Sequence, residues 1–123
     1  MPPARKVLVV DDDPDLLEAM HDALTSEGYD SVEASAGEAA LGYLRSNPAP
    51  GLILLDWNMS PMNGEQFMSE LSRDADLASV PVVLLTADAR LEDKVRGNTF
   101  AGSLRKPIDL EALFALVTRY CCA

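Results

Sequence analysis

At recurring points along the 123-residue chain, a polar side chain that could do chemistry directly follows a short apolar run. Lys6-Val7-Leu8-Val9-Val10 ends on Asp11 and Asp12, Leu52-Ile53-Leu54-Leu55 on Asp56, Val80 to Leu85 on Thr86, and Gly102-Ser103-Leu104-Arg105 on Lys106. Carboxylates gathered within a few ångströms repel one another unless a cation neutralises them, and an all-oxygen donor set suits Mg2+, with Mn2+ as the alternative. Magnesium commonly joins one or two carboxylates to phosphate oxygens and keeps several waters. A site of this kind has an open face for a phosphoryl group, and Asp56 could accept that group as an acyl phosphate. Phosphoryl transfer asks chiefly for positioning and charge neutralisation, which the Lys106 ammonium and the Thr86 hydroxyl could supply beside the metal.

The intervening elements must bring these residues together. Leu52 to Leu55 shows no polar alternation, as expected of a strand buried on both faces of a parallel sheet. One of Asp11 to Asp13 caps a helix of about four turns, with Pro14 and Asp15 early in it and Leu16, Leu17, Met20 and Leu24 as its apolar stripe. Gly28 stops it. Ser31-Val32-Glu33-Ala34 reads as a strand, and Ser35 to Asn47 as a helix with Ala39, Ala40, Leu41 and Leu44 inward, ended by Asn47-Pro48. Gly64 opens a helix carrying Phe67, Met68 and Leu71 inward. Thr86-Ala87-Asp88 begins another, running roughly to Arg96, and Gly97-Asn98-Thr99 breaks it, so this helix is expected to be short or irregular. After the strand Gly102 to Arg105, Asp109 caps a final helix that buries Leu110, Leu113, Leu116, Val117 and Tyr120. Regular alternation of strand and helix predicts an α/β fold, a doubly wound parallel sheet with right-handed crossovers. All strand carboxyl ends then share one edge, where open α/β sheets bind ligands.

Composition narrows the function classes. Lys and Arg number 10 against 20 Asp and Glu, a formal net charge of −10. That balance repels phosphate backbones and anionic membrane surfaces, so direct nucleic-acid or membrane binding is not expected. No apolar run approaches the length of a membrane span and no signal-peptide core is present, which predicts a cytoplasmic protein. Cys121 and Cys122 are adjacent and C-terminal, so they offer neither a disulfide framework nor zinc spacing, and a fraying terminus is expected to hold them. The length fits one domain over residues 1–123, with its core over about 5–120.

In order and nearly in spacing, Val9-Val10-Asp11-Asp12, Leu55-Asp56, Met62-Asn63-Gly64, Leu85-Thr86-Ala87 and Lys106-Pro107 resemble the receiver domain of two-component response regulators, over essentially the whole chain. The resemblance implies a flavodoxin-like (βα)5 fold with strand order 2-1-3-4-5. It implies that Asp56 takes a phosphoryl group from the phosphohistidine of a histidine kinase or phosphotransfer protein. Asp11, Asp12, Asp56 and the Asn58 main-chain carbonyl would hold Mg2+, and Thr86 and Lys106 would contact the phosphoryl group and couple its arrival to nearby loops. Such a domain is not a conventional enzyme, but it catalyses its own phosphorylation and dephosphorylation. It signals to a downstream protein as a monomer or a phosphorylation-dependent dimer. Polar side chains at Asn58 and Asp88 resemble those of members whose phosphate is lost quickly.

The chain also departs from the family pattern. Ser60 stands where Pro is usual, with Pro61 one residue later, and Asn63 replaces the commoner Asp before Gly64. Ser103 occupies the position of the usual switch aromatic, and a hydroxymethyl group cannot fill the same space. These departures support an alternative in which a pseudo-receiver signals through protein contacts without phosphorylation, or without the Thr-to-aromatic switch. An aspartyl-phosphate phosphatase is a third class, but such enzymes place a second Asp two residues after the nucleophile, where this chain has Asn58. Taken singly, Asp13 reads as a helix cap, Lys106 as a solvated lysine, His21 as a surface residue of the first helix, and Trp57 as a half-exposed packing group able to report metal binding by fluorescence.

Overall fold

In the computed structural model, which describes residues 6–57, 59, 62–87 and 100–121, the apolar runs become a five-stranded parallel sheet of order β2-β1-β3-β4-β5. The strands are β1 (Val7–Val10), β2 (Ser31–Ala34), β3 (Leu52–Asp56), β4 (Val82–Thr86) and β5 (Gly102–Arg105). Helices α1 (Pro14–Ser26), α2 (Gly37–Ser46), α3 (Gly64–Ser72) and α4 (Leu110–Cys121) complete the fold among the described residues. The expected α/β class and strand order are both found. The helix read from Asp88 to about Arg96, with its break at Gly97 to Thr99, lies outside the described residues. Among those residues, no helix is long and apolar enough to cross a membrane.

Side chains alternate across each strand, so a continuous apolar run feeds two cores. Val7, Val9, Leu52, Leu54, Val83 and Leu85 pack with Leu17, Met20 and Leu24 of α1 and with Leu113 and Val117 of α4. Leu8, Val10, Ile53, Leu55 and Val82 pack with Leu41 and Leu44 of α2 and with Phe67 and Leu71 of α3. Every residue of β1, β3 and β4 is buried, which locks their register, because a one-residue slip would exchange the two faces.

Helix boundaries follow local chemistry. The Asp13 carboxylate accepts the Asp15 and Leu16 amides at 3.0 and 3.4 Å, and Gly28 ends the α1 turn with φ +86°. Asn63 and Gln66 form a reciprocal capping box that starts α3. Asp109 accepts the Glu111 amide at 3.0 Å, as its expected capping role requires.

Some expected packing is corrected. Ala39 is exposed, because at about 100° per residue α2 can turn Gly37, Ala40, Leu41 and Leu44 inward only by turning Ala39 out. Leu110 is 48% exposed, since the first residue of α4 stands clear of the sheet that buries Leu113 and Val117. Cys121 does not fray: its side chain is buried, and its thiol lies 3.8 Å from the Lys6 carbonyl.

Candidate functional site

The strand order reverses direction between β1 and β3: β2 lies outside β1, whereas β4 and β5 lie beyond β3. A crevice opens at the carboxyl ends of strands where such a reversal occurs. Asp11 directly follows β1, and Asp56 is the last residue of β3. The Asp11 amide donates to the Ala34 carbonyl at 3.1 Å, which continues the β1–β2 ladder one residue beyond the strand and fixes where the Asp11 side chain starts. Its Oδ1 accepts the Asp13 amide at 2.9 Å. Asp12 is exposed at the mouth, while Asp11 and Asp56 are buried. Carboxylate oxygens of Asp11, Asp12 and Asp56 all lie within 4.8 Å of one another.

Lys106 reaches this cluster from the far side of the sheet. Its amide donates to the Thr86 carbonyl at 2.8 Å, extending the β4–β5 pairing by one residue and aiming the side chain back across β4. Its Nζ stands 2.8 Å from Asp11 Oδ2 and 3.6 Å from Asp56 Oδ1. Burial disfavours the ammonium, but the Asp11 carboxylate first and the Asp56 carboxylate second more than offset this, and the Lys106 pKa is raised above 10.5. Lys106 therefore stays a cation at neutral pH.

One positive charge does not balance three negative ones. Asp11 Oδ2 is fully buried, and its pairing with the Lys106 ammonium at 2.8 Å takes up the one cation that the described residues bring to the cluster. Buried carboxylates in excess of their cationic partner are costly, and a further cation relieves them. The three carboxylates can hold a metal ion, and their all-oxygen chemistry fits a hard divalent cation.

The loop after Asp56 is pinned at its base. The Gly64 amide donates to the Trp57 carbonyl at 2.9 Å, and a Cβ at Gly64 would lie 3.0 Å from the Trp57 Cα and 2.5 Å from ring atom Cε3. Only glycine permits this approach. Further along, Met62 lies over Gly37 at the start of α2, where a Cβ would come within 2.9 Å of the Met62 sulfur. The residue that supplies the carboxylate is thus held by the sheet on one side and by α3 on the other.

Of the residues singled out in the sequence, Asp11, Asp12, Asp56 and Lys106 come together. Thr86 is buried at the end of β4, and Asp56 pairs in register with its neighbour Leu85. Ser103 is half-buried in β5, opposite Leu84. Asn58 and Asp88 lie outside the described residues. Sequence reasoning passed over Phe100, whose ring meets Trp57 edge-on at 5.7 Å, and the Asn63–Gln66 capping box. The box was visible as Asn followed three residues later by Gln.

Comparison with known proteins agrees with this geometry. The family model described as "Response regulator receiver domain" matches residues 7–118. The chain is 40% identical over 94 residues to the phosphate regulon transcriptional regulatory protein PhoB of Escherichia coli, covering 76% of this chain and 41% of that protein. It thus spans less than half the length of that relative. A response regulator receiver protein from Pseudomonas putida superposes with a TM-score of 0.87 at 30% identity, covering 97% of this chain and 99% of the other. The chemotaxis protein CheY4 of Vibrio cholerae gives a TM-score of 0.85 at 25% identity, covering 95% and 98% of the two chains.

Proposed function

Because the chain belongs to the response regulator receiver domain family of two-component signalling, we propose that Asp56 is its phosphoacceptor. Receiver domains partner histidine kinases, and the phosphohistidine of such a kinase or of a phosphotransfer protein is the donor in this reading. An Asp56 carboxylate oxygen attacks phosphorus, the P–N bond breaks, and its electron pair returns to the imidazole. The observation that carries the proposal is the convergence of three carboxylates within 4.8 Å, with the Lys106 ammonium 3.6 Å from Asp56 Oδ1.

Each residue has a part in this reaction. Asp11, Asp12 and Asp56 would hold Mg2+, with the Asn58 carbonyl as a further donor, and the bound ion would supply charge neutralisation to the transferring oxygens. Lys106 stays protonated, pairs with Asp11 and Asp56 beforehand, and stands ready to pair with the phosphoryl oxygens as negative charge gathers on Asp56. The Asp13 amide holds Asp11 in place, so the carboxylate enters the reaction already oriented. Thr86 would contribute its hydroxyl to the phosphoryl group. Asn58 and Asp88 would favour rapid loss of the phosphate. With Ser103 in β5, the state would pass to a downstream protein by a route other than a Thr-to-aromatic switch.

Intact-mass measurement after incubation with acetyl phosphate and Mg2+ tests the proposal. It expects a metal-dependent phosphoryl adduct in the wild-type chain and none in Asp56→Asn. An absent wild-type adduct at early quench times would overturn it, and would favour an interaction module that works unphosphorylated.

A further inference from the structure

Trp57 directly follows Asp56, and its ring packs against Gly64 and Phe100 among the described residues. The main chain is anchored on both sides, by the β3–β4 pairing at Asp56 and by the Gly64 amide on the Trp57 carbonyl at 2.9 Å. The ring covers Gly64 so closely that no Cβ fits beneath it. A second neighbour among the described residues is the half-buried Phe100, at 5.7 Å between centroids and 71° between planes, an attractive edge-to-face geometry. Phe100 leads straight into β5: the Ala101 amide donates to the Val82 carbonyl at 2.8 Å, and the strand begins at Gly102.

On the basis of the phosphoacceptor reading above, we infer that the Trp57–Phe100 ring contact is the relay that carries the phosphorylation state of Asp56 to β5. A phosphoryl group on Asp56 adds bulk and negative charge one residue before Trp57, at the end of β3. With the Trp57 backbone held and the ring backed against Gly64, a displacement of the ring is passed to Phe100 through their edge-to-face contact. Phe100 is coupled to an edge strand of the sheet, β5, in which Leu104 is the one buried residue. Ser103 projects to the same sheet face as Leu84, opposite to Leu104, and its small side chain lets the strand shift there without repacking a large group.

The inference is tested by amide chemical-shift mapping of the full chain with and without acetyl phosphate and Mg2+, with the adduct quantified by intact mass in the same samples. The variants are Phe100→Leu and Phe100→Met, which remove the ring, and Phe100→Tyr, which keeps it. Wild type and Phe100→Tyr should show phosphorylation-dependent shifts at Ala101 to Leu104. In a ring-free variant that retains a folded spectrum, those shifts should fall to less than half while the adduct forms to the same extent. Undiminished shifts at β5 in the ring-free variants, or none in phosphorylated wild type, would overturn the relay and leave the phosphoacceptor assignment standing. No adduct in any sample would overturn both.

Discussion

Every residue of β1 and β3 is buried, whereas in β5 only Leu104 is. The two regions meet at one edge of the same sheet, yet the surrounding chain constrains them very differently. Asp11 and Asp56 extend from strands packed on both faces, and hydrogen bonds from the Asp13 amide and to the Ala34 carbonyl fix Asp11 further. β5 carries Gly102 and Ser103 where larger side chains would pack. Among the described residues, even a Cβ at Gly102 would meet nothing closer than a Leu116 methyl at 3.9 Å. Chemistry that needs carboxylates held to fractions of an ångström sits where burial determines position. A strand able to move sits where small side chains leave slack. Lys106 joins the two regions, since its backbone extends β5 and its ammonium belongs to the acidic cluster.

That contrast can be broken most strongly at Lys106. Replacement by Met should slow phosphorylation by acetyl phosphate about a hundredfold, the usual scale for losing one preorganised charge partner. In EDTA the same variant should lose about 1–2 kcal/mol in urea unfolding, less than a fully buried pair because a quarter of the Lys106 side chain is exposed. The raised Lys106 pKa fixes the pH dependence. Its stabilising contribution is complete below the unfolded value of 10.5 and is lost as pH rises through the higher folded value. The stability difference between wild type and Lys106→Met should therefore be constant from neutral pH to about pH 9 and shrink only above 10.5.

Asp12→Ala comes next, with Mg2+ affinity expected to fall tenfold or more, followed through Trp57 fluorescence. Folding stability in EDTA should hardly change, because Asp12 is exposed and its removal relieves repulsion within the triad. Gly64→Ala should cost about 1–3 kcal/mol, because a Cβ there runs into the Trp57 backbone and not only into its ring. Ser103→Ala sharpens the contrast from the slack side. Its stability should stay within about 0.5 kcal/mol of wild type and its phosphorylation rate should be unaltered, as both assays would show. A large loss in either would mean that β5 is as tightly built as β3.

The chain revealed its strands more fully than its helix faces. The β3 limits follow from an unbroken aliphatic run ending on a charge, and β5 from its place before Lys106-Pro107, so both strands are found at the positions read. Grouping Ala39 with Ala40 and Leu41 asked three successive residues to face inward, which helix geometry forbids. Leu110 has a core side chain at a helix start, and hydrophobicity alone does not say how far a helix overhangs its sheet. Cys121 looked peripheral by position, but α4 continues far enough to bury it beside Lys6. The acidic site was legible because parallel strands align their ends. The Trp57–Phe100 contact was not, because 43 residues of sequence separate two rings that only the completed sheet brings to 5.7 Å.

The most direct test of the phosphoacceptor assignment is to locate the modification. Borohydride reduces an acyl phosphate on aspartate to the alcohol, so treatment of the phosphorylated chain followed by peptide sequencing in the mass spectrometer marks the modified residue. Homoserine is expected at position 56 and nowhere else, dependent on Mg2+ during phosphorylation. Homoserine at Asp11 or Asp12 in place of Asp56, or a stable adduct that yields no homoserine, would contradict it.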